Sequence, residues 1–423
     1  FILWPYRLTL LYWIILLFKP DWMIGHFVPP LEVLAALNKF LLLGLFAWTF
    51  TVNSPSKMHG YILPFFILCC VSLVFAQNTG AGRPFLKLLA QYYMLSVVTF
   101  TFIDNFDRAK ALFRIFIFHF LYYGLWGLSF SGRVVWHNRI NETNAFGPYM
   151  AFGLIFAFFM MYSETKKSTK ILCAATIFFC MIGIMQSFTM GSFLTFMMLA
   201  VYVLYRYPQK IKAVFIICSL SGLFLVVVTF FTPDPGVYWD EMSRLFTNTG
   251  ESSAGGERLF LWKIGLRIFT KSPLFGVGLN NFGIYAPQVT TLEDITNASI
   301  SFGSAANLWG VSLHNAHLVV LVELGAIGLF FYLNFFRDFW LKNRLIRAKI
   351  AETANYPIDI NKIKYLANDD YRRMYAISFA LEGSLFVYLV AGTFYGILFY
   401  PDFWMIIISN RLLFYNFSRM VSR

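Results

Sequence analysis

Charge is the scarcest thing in this chain. Only 13% of its 423 residues are Asp, Glu, Lys or Arg, against ~25% in soluble domains. Hydrophobic residues reach 58%, so a soluble fold of this length would lack the polar surface to cover its core. Cysteine occurs five times, and Cys69, Cys70, Cys173, Cys180 and Cys218 all fall inside apolar runs. Such thiols read as buried packing residues, without the outer-face spacing of a disulfide framework or a metal site. Of the six histidines, His26, His59, His119 and His137 show no ligand spacing, so neither a metal nor any other cofactor is expected. Also missing are the alternating ten-residue segments of an outer-membrane barrel, an internal repeat of fixed period and low-complexity linkers.

What the chain has in excess is long apolar blocks. In hydrocarbon every backbone polar group must be satisfied within its own segment, so these blocks predict spanning helices. They fall near 5–20, 34–53, 60–76, 86–103, 114–131, 145–162, 170–188, 192–206, 211–232, 314–336, 375–396 and 399–417. The fold class is therefore an all-α polytopic membrane protein with about 12 transmembrane helices. Phe1 to Trp4 run straight into the first block without a cleavable signal-peptide pattern and read as the first spanning helix.

The net charge of +13 raises the question of nucleic acid, but no basic stretch is interleaved with exposed aromatics. With the N-terminus inside, 23 of the 34 Lys and Arg lie on the cytoplasmic side. They include Arg108, Lys110, Arg114, Lys166, Lys167, Lys170, Arg206, Lys210, Lys212 and nine residues from Arg337 to Arg373. The opposite side carries 10, and Lys39 lies within a span. This is the positive-inside asymmetry, with both termini cytoplasmic. The basic charge orients the chain in a phospholipid bilayer and meets anionic headgroups.

Residues 1–423 read as a single membrane domain with two long connections. One is an outer loop at 233–313, inserted before a histidine-bearing helix; the other is a basic cytoplasmic loop at 337–374. In the outer loop, Ser252–Gly256 precede an amphipathic helix from Glu257 to Lys271. Leu259, Phe260, Trp262, Ile264, Leu266, Ile268 and Phe269 give its apolar surface, and Arg258, Lys263, Arg267 and Lys271 its polar one. Ser272-Pro273-Leu274-Phe275-Gly276-Val277-Gly278 then stops the helix. Loops longer than ~15 residues are usually functional or disordered, and the Trp, Phe and Ile here argue for order and for chemistry.

The sharpest pattern is Leu313-His314-Asn315-Ala316-His317, where the loop re-enters the membrane, followed by Gly325 and Gly328. A histidine at the outer start of a helix suits proton transfer from a hydroxyl, since its unperturbed pKa of ~6.5 lies near ambient pH. Gly325 and Gly328, about one turn apart, allow close packing against another helix. The alternative reading is an interfacial histidine that caps a span, with small residues for packing. Glu323 and Glu382 are the remaining ionisable residues within spans. Glu323 lies nine residues past His314, too deep to orient its ring, and reads as a packing partner for polar groups of the bundle.

His, then Asn, then nine residues, Gly, two residues and Gly resembles the signature of the O-antigen ligase and polymerase family, carried here by His314, Asn315, Gly325 and Gly328. Arg258-x-x-x-Trp262 followed by Ser272–Gly278 also looks like the family's large periplasmic loop, as does the layout of spans around it. The motif resemblance covers residues 255–330; the topology covers the whole chain. It implies a metal-independent, GT-C-like membrane glycosyltransferase of the bacterial inner membrane with its active site on the periplasmic face. The donor would be an undecaprenyl-diphosphate-linked glycan. The acceptor would be a lipid A core sugar for a ligase, or a carrier-linked repeat unit for a polymerase, and the shared motif does not separate the two.

In this reading His314 is the catalytic base or binds the acceptor. Arg258 binds the diphosphate, since a planar guanidinium grips phosphate oxygens bidentately, and Arg267, at the far end of the same helix, is a second candidate. Asn315, His317, Trp262, Gly325, Gly328 and Asn144 support the site or the structure. One departure stands out. The family commonly has Arg followed by Gly or Ser at the start of its eighth span, and here Met190 precedes Gly191 and Ser192. Arg133, Arg139 and Lys39 are the candidate replacements. The two arginines precede Asn141-x-x-Asn144-Ala145-Phe146-Gly147, which also looks like the family. The 50 Phe give ample lining for a bilayer-facing groove, most of them expected as plain lipid contact.

Two other classes compete. A transporter of lipid-linked glycans, such as a flippase, predicts paired repeats and broken helices at corresponding positions in two halves, and no such symmetry is visible. An assembly scaffold would need extended interaction tails, which are lacking.

Overall fold

The apolar blocks become helices that cross back and forth between two ends of one bundle. A computed structural model describes residues 3–20, 33–52, 60–130, 143–187, 189–206, 209–231, 234–237, 239–240, 243, 254–297, 304–354, 362–396, 398 and 400–422. Among them no strand occurs. The helices are α1 (Leu3–Phe18), α2 (Val33–Thr49), α3 (Ile62–Ser72), α4 (Thr79–Phe102), α5 (Phe106–Ser129), α6 (Thr143–Ser163), α7 (Lys167–Gln186), α8 (Met190–Arg206) and α9 (Lys210–Phe231). The outer loop supplies α10 (Ala254–Lys271), α11 (Phe282–Val289) and α12 (Leu292–Asn297). Then come α13 (Ala316–Ala354), α14 (Asp369–Gly392) and α15 (Pro401–Val421). Each expected span coincides with a helix, and seven of the described helices are long and apolar enough to cross a membrane.

Helix boundaries follow local chemistry. Asn78, Asn105 and Asn368 cap α4, α5 and α14 by accepting backbone N–H bonds of the first turn. Asp369 and Asp370 add negative charge at the positive end of the α14 dipole. Pro401 opens α15, where its missing N–H costs nothing. Within the expected loop at 337–374, residues 337–354 continue α13 as helix.

The core sits around α6 and α14, which pack on each other and on α7, α8 and α15. The side chains of Phe65, Phe100, Phe113, Phe116 and Phe120 are fully buried there. Among the described residues more Phe are buried than fully exposed, so many of them pack helices together. Aromatic rings fill space between helices because each buries a large area with few rotatable bonds. α9 shows the opposite face: Ile211, Phe215 and Phe230 are largely exposed. Cys69, Cys173 and Cys180 are buried as expected, but Cys70 and Cys218 are exposed on apolar helices.

Polar contacts sort the helix ends. At one end Arg108 pairs with Asp104 at 2.9 Å and Lys110 with Asp370 at 3.0 Å. Arg373 meets Glu164 at 3.5 Å, and Arg419 donates to the Asp104 carbonyl at 2.7 Å. At the other end, Asn78 and Asn281 exchange two hydrogen bonds of 2.9 and 3.1 Å, which dock the outer loop onto α4. Between the ends, buried Glu382 is not isolated: Arg347 reaches it at 2.5 Å and Arg206 pairs with it as well. A buried carboxylate needs such partners.

Candidate functional site

The outer loop builds a core of its own on the outer end of the bundle. Phe260, Leu261, Ile264 and Ile268 of α10 pack against Phe282, Leu308, Leu313 and Val322. Leu259 and Leu266, assigned from the sequence to the apolar surface, are instead exposed. Trp262 Nε1 donates to the Leu313 carbonyl at 3.1 Å. One turn earlier on the same helix, the guanidinium of Arg258 stands 5.8 Å from the centre of the Phe394 ring. His314 follows Leu313 in a left-handed turn (φ +48°), its ring 6.2 Å from that of Tyr395. The Arg-x-x-x-Trp spacing therefore does two things. Trp262 fixes the turn that carries His314, and Arg258 brings a cation to the 394–395 segment beside it.

Positive φ in a non-glycine residue costs on the order of 1 kcal/mol and persists only where the surroundings hold it. The His314 N–H donates to Ser312 Oγ at 3.3 Å, and the Ala316 N–H to the Tyr395 carbonyl at 3.1 Å. Asn315 Oδ1 caps α13, accepting from the N–H groups of His317 and Leu318, both at 3.0 Å. The His317 ring does not enter the site. Its Nδ1 meets the Tyr332 hydroxyl and its Nε2 the Leu389 carbonyl, each at 3.0 Å, clasping α13 to α14 just below His314.

The two arginines of α10 differ in company. Arg267 holds Asp294 at 2.5 and 3.0 Å and donates to the Val289 carbonyl at 2.8 Å. That fork ties α10 to α12, and the Arg267 guanidinium beside Asp294 holds its carboxyl well below the usual carboxylate range. Arg258 is half-buried. Burial pushes its pKa down, while Glu257 and Tyr395 nearby pull it back up. No carboxylate among the described residues hydrogen-bonds its fork. A part-desolvated cation in that state gains most from an incoming anion.

The glycines do something other than the helix packing expected of them. At Gly325 (φ +69°) α13 is broken, and the 272–278 segment fills the break with its own backbone. Val277 and Gly278 N–H donate to the carbonyls of Val322 and Glu323 at 3.1 and 3.0 Å, and the N–H groups of Ala326 and Ile327 donate to Pro273 and Leu274 at 2.8 and 3.2 Å. A Cβ at Gly325 would lie 2.2 Å from the Leu274 carbonyl oxygen, whereas one at Gly328 would meet Leu324 of its own helix. Glu323 joins this seam, accepting from the N–H groups of Asn280 at 2.7 Å and Phe282 at 3.3 Å.

The entry to α6 and the start of α8 abut the same region. A Cβ at Gly147 would collide with Ser192 Oγ at 1.9 Å and Ser187 Oγ at 2.5 Å, and one at Gly191 would stand 3.9 Å from Phe394 Cβ. Asn144 lies in the first turn of α6, but its side chain falls outside the described residues, as do Arg133 and Arg139 entirely. Lys39 is exposed on α2, whose main contacts are α1 and α4. Phe394 and Tyr395 were not singled out in the sequence, where they belong to no motif. Their only signal was a place in the outer turn between the last two spans.

Below the His314 turn lies a cavity of about 550 Å³. Phe85 and Leu88 of α4, Asn280 and Phe282 of the loop, Ser312 and Leu313, Glu323 of α13, and Gly396 and Tyr400 line it, among others.

Residues 174–333 match the family model described as O-Antigen ligase. The match takes in the Ser187–Ser192 turn, the outer loop and α13 past Gly328, the same stretch whose motifs resemble that family. No curated protein matches the chain.

Proposed function

We propose that the chain is a metal-independent glycosyltransferase of GT-C type in the bacterial inner membrane, moving a glycan from undecaprenyl diphosphate to a hydroxyl acceptor at the periplasmic face. The observation that carries this reading is the meeting of Arg258 and His314 at the Phe394–Tyr395 segment, inside a region matching the O-Antigen ligase model. The acceptor oxygen attacks the anomeric carbon of the donor glycan, and the anomeric C–O bond to phosphate breaks. Diphosphate departs with the bonding electron pair, neutralised by Arg258. The hydroxyl proton passes to His314 as general base. Confinement of both substrates to the membrane supplies proximity. Arg267 has no part in this step, because its fork is taken by Asp294.

A transporter would present unwound backbone to its cargo at a helix break. Here the break at Gly325 is filled by residues 273–278, which supports the transferase over that alternative.

The test is transfer by the purified protein in vesicles with an undecaprenyl-diphosphate glycan. Lipid A core and carrier-linked repeat units are offered in separate tubes, with a chelator in a parallel set. Label appearing on the core identifies a ligase, and a growing ladder on the carrier identifies a polymerase. Loss of a general base costs ~100–10,000-fold, so His314→Ala should fall by that range. A His314→Ala rate equal to the parent rate removes the base, and loss of activity with chelator removes the metal-free reaction.

A further inference from the structure

We infer that the 550 Å³ cavity between α4, the outer loop and Gly396, Leu398 and Tyr400 is the subsite for the acceptor glycan, holding its terminal sugar rings beside the His314 turn; this rests on the transferase reading above. The residues that line it include no Lys or Arg to hold a phosphate. Ser312 and Leu313, immediately ahead of His314, form one wall, and Gly396, next after Tyr395, another. α10, which carries Arg258, contributes no lining residue. His314 does not line the cavity either; the cavity reaches its turn through Ser312 and Leu313, and Trp262 of α10 holds the Leu313 carbonyl from behind that wall.

The lining chemistry selects a sugar over the other molecules such an enzyme meets. The volume lies within the ~300–1,000 Å³ of small-ligand sites. Phe85, Phe282 and Tyr400 bring aromatic rings to the wall, suited to the C–H faces of pyranose rings. Glu323 is 4% exposed, and each of its carboxylate oxygens accepts one backbone N–H, from Asn280 and from Phe282. A carboxylate has about four acceptor positions, so capacity for hydroxyl donors remains. Asn280 and Ser312 add further polar atoms. A diphosphate in this space would find no cation among the lining residues. A prenyl chain would strip water from the Glu323 carboxylate without replacing its hydrogen bonds. A polyol needs no cation and replaces those bonds.

The experiment is binding to the full chain in vesicles, with two probes titrated separately: deacylated lipid A core oligosaccharide, and the free oligosaccharide of the repeat unit. Undecaprenyl diphosphate is titrated in parallel. Leu88→Trp fills the cavity and Phe85→Ala removes one ring from its wall. The expected result is that one oligosaccharide binds the parent and binds Leu88→Trp at least tenfold more weakly. Phe85→Ala should weaken it too, while undecaprenyl diphosphate binding stays within twofold in both. Arg258→Ala should show the reverse pattern. The inference is overturned if neither oligosaccharide binds the parent, if both variants bind it as tightly as the parent, or if they weaken undecaprenyl diphosphate instead. Matching gel-filtration profiles and unfolding temperatures exclude misfolding as the cause. Sugar binding that follows this pattern, with no transfer to any acceptor, would leave the subsite standing and remove the transferase reading.

Discussion

Two arginines nine positions apart on α10 carry the same charge and have opposite uses. Arg267 has already found a carboxylate, and Arg258 stands part-buried over an aromatic ring with its fork unengaged by any described carboxylate. Removing a cation that stabilises a departing anion costs ~100–1,000-fold in rate. Arg258→Ala should therefore fall by that range with normal protein yield. Arg258→Lys should recover part of the loss, since it keeps the charge and gives up the bidentate fork. Initial rates at saturating donor, normalised to protein in the membrane, decide it; an Arg258→Ala enzyme at parental rate has no use for that residue. The motif made Arg258 legible in the sequence. It could not rank Arg267, because the partner that occupies it, Asp294, lies 27 residues away across a turn and α11. Tyr395 was invisible for a related reason: its backbone carbonyl and ring position, not its place in a pattern, bring it to His314.

Among the elements, α13 is a helix made whole by another segment. Gly325→Ala would force a methyl against backbone atoms of Leu274 at 2.2 and 2.4 Å, in a left-handed conformation. Strain of this kind costs about 3 kcal/mol or more, and thermal unfolding in detergent should show a lower midpoint than the parent. Gly222→Ala on α9, where a Cβ meets nothing within 4 Å, is the matched control and should be neutral or stabilising by up to about 1 kcal/mol. The sequence showed the glycine spacing but not its purpose, since spacing alone cannot distinguish a close helix neighbour from a strand of loop backbone. The loop helices have their own fastener in the Arg267–Asp294 pair. The Asp294 carboxyl is depressed in the folded chain, so its contribution is present above the unfolded value of ~3.9 and is lost as pH falls through the lower folded value. Protease cleavage between α10 and α12 should rise as pH drops below about 4. In Asp294→Asn it should already be high at neutral pH and change little with acid; equal protection of both forms at neutral pH would deny the pair its role.

For the whole molecule, the pairs Arg108–Asp104, Lys110–Asp370 and Arg373–Glu164 fall in the segments to which the sequence sorting of Lys and Arg assigns the cytoplasmic side. Single cysteines placed in a cysteine-free background at Ser304 and Ser422 give the orientation. A membrane-impermeant maleimide should label the first through a permeabilised outer membrane and the second only after the inner membrane is opened. Labelling of Ser422→Cys in closed cells would reverse the assignment. The sequence read the all-helical class and the helix positions well, because hydrocarbon leaves backbone only a few ways to be satisfied. It could not say which Phe turn inward, because hydropathy cannot tell lipid from the inside of an aromatic-rich bundle, and Phe113, Phe116 and Phe120 do so.

The seam between residues 273–278 and the break in α13 also bears on how the protein is made. The loop segment leaves the ribosome some fifty residues before its partners at 322–327, and until α13 arrives its N–H and carbonyl groups must stay hydrated outside the membrane. The outer loop can therefore close only after the following span is inserted. With the loop on the periplasmic side, as proposed, a lesion that delays insertion of α13 would be displayed there as an unfinished loop, open to the quality-control proteases of that compartment, although the damage itself lies in α13.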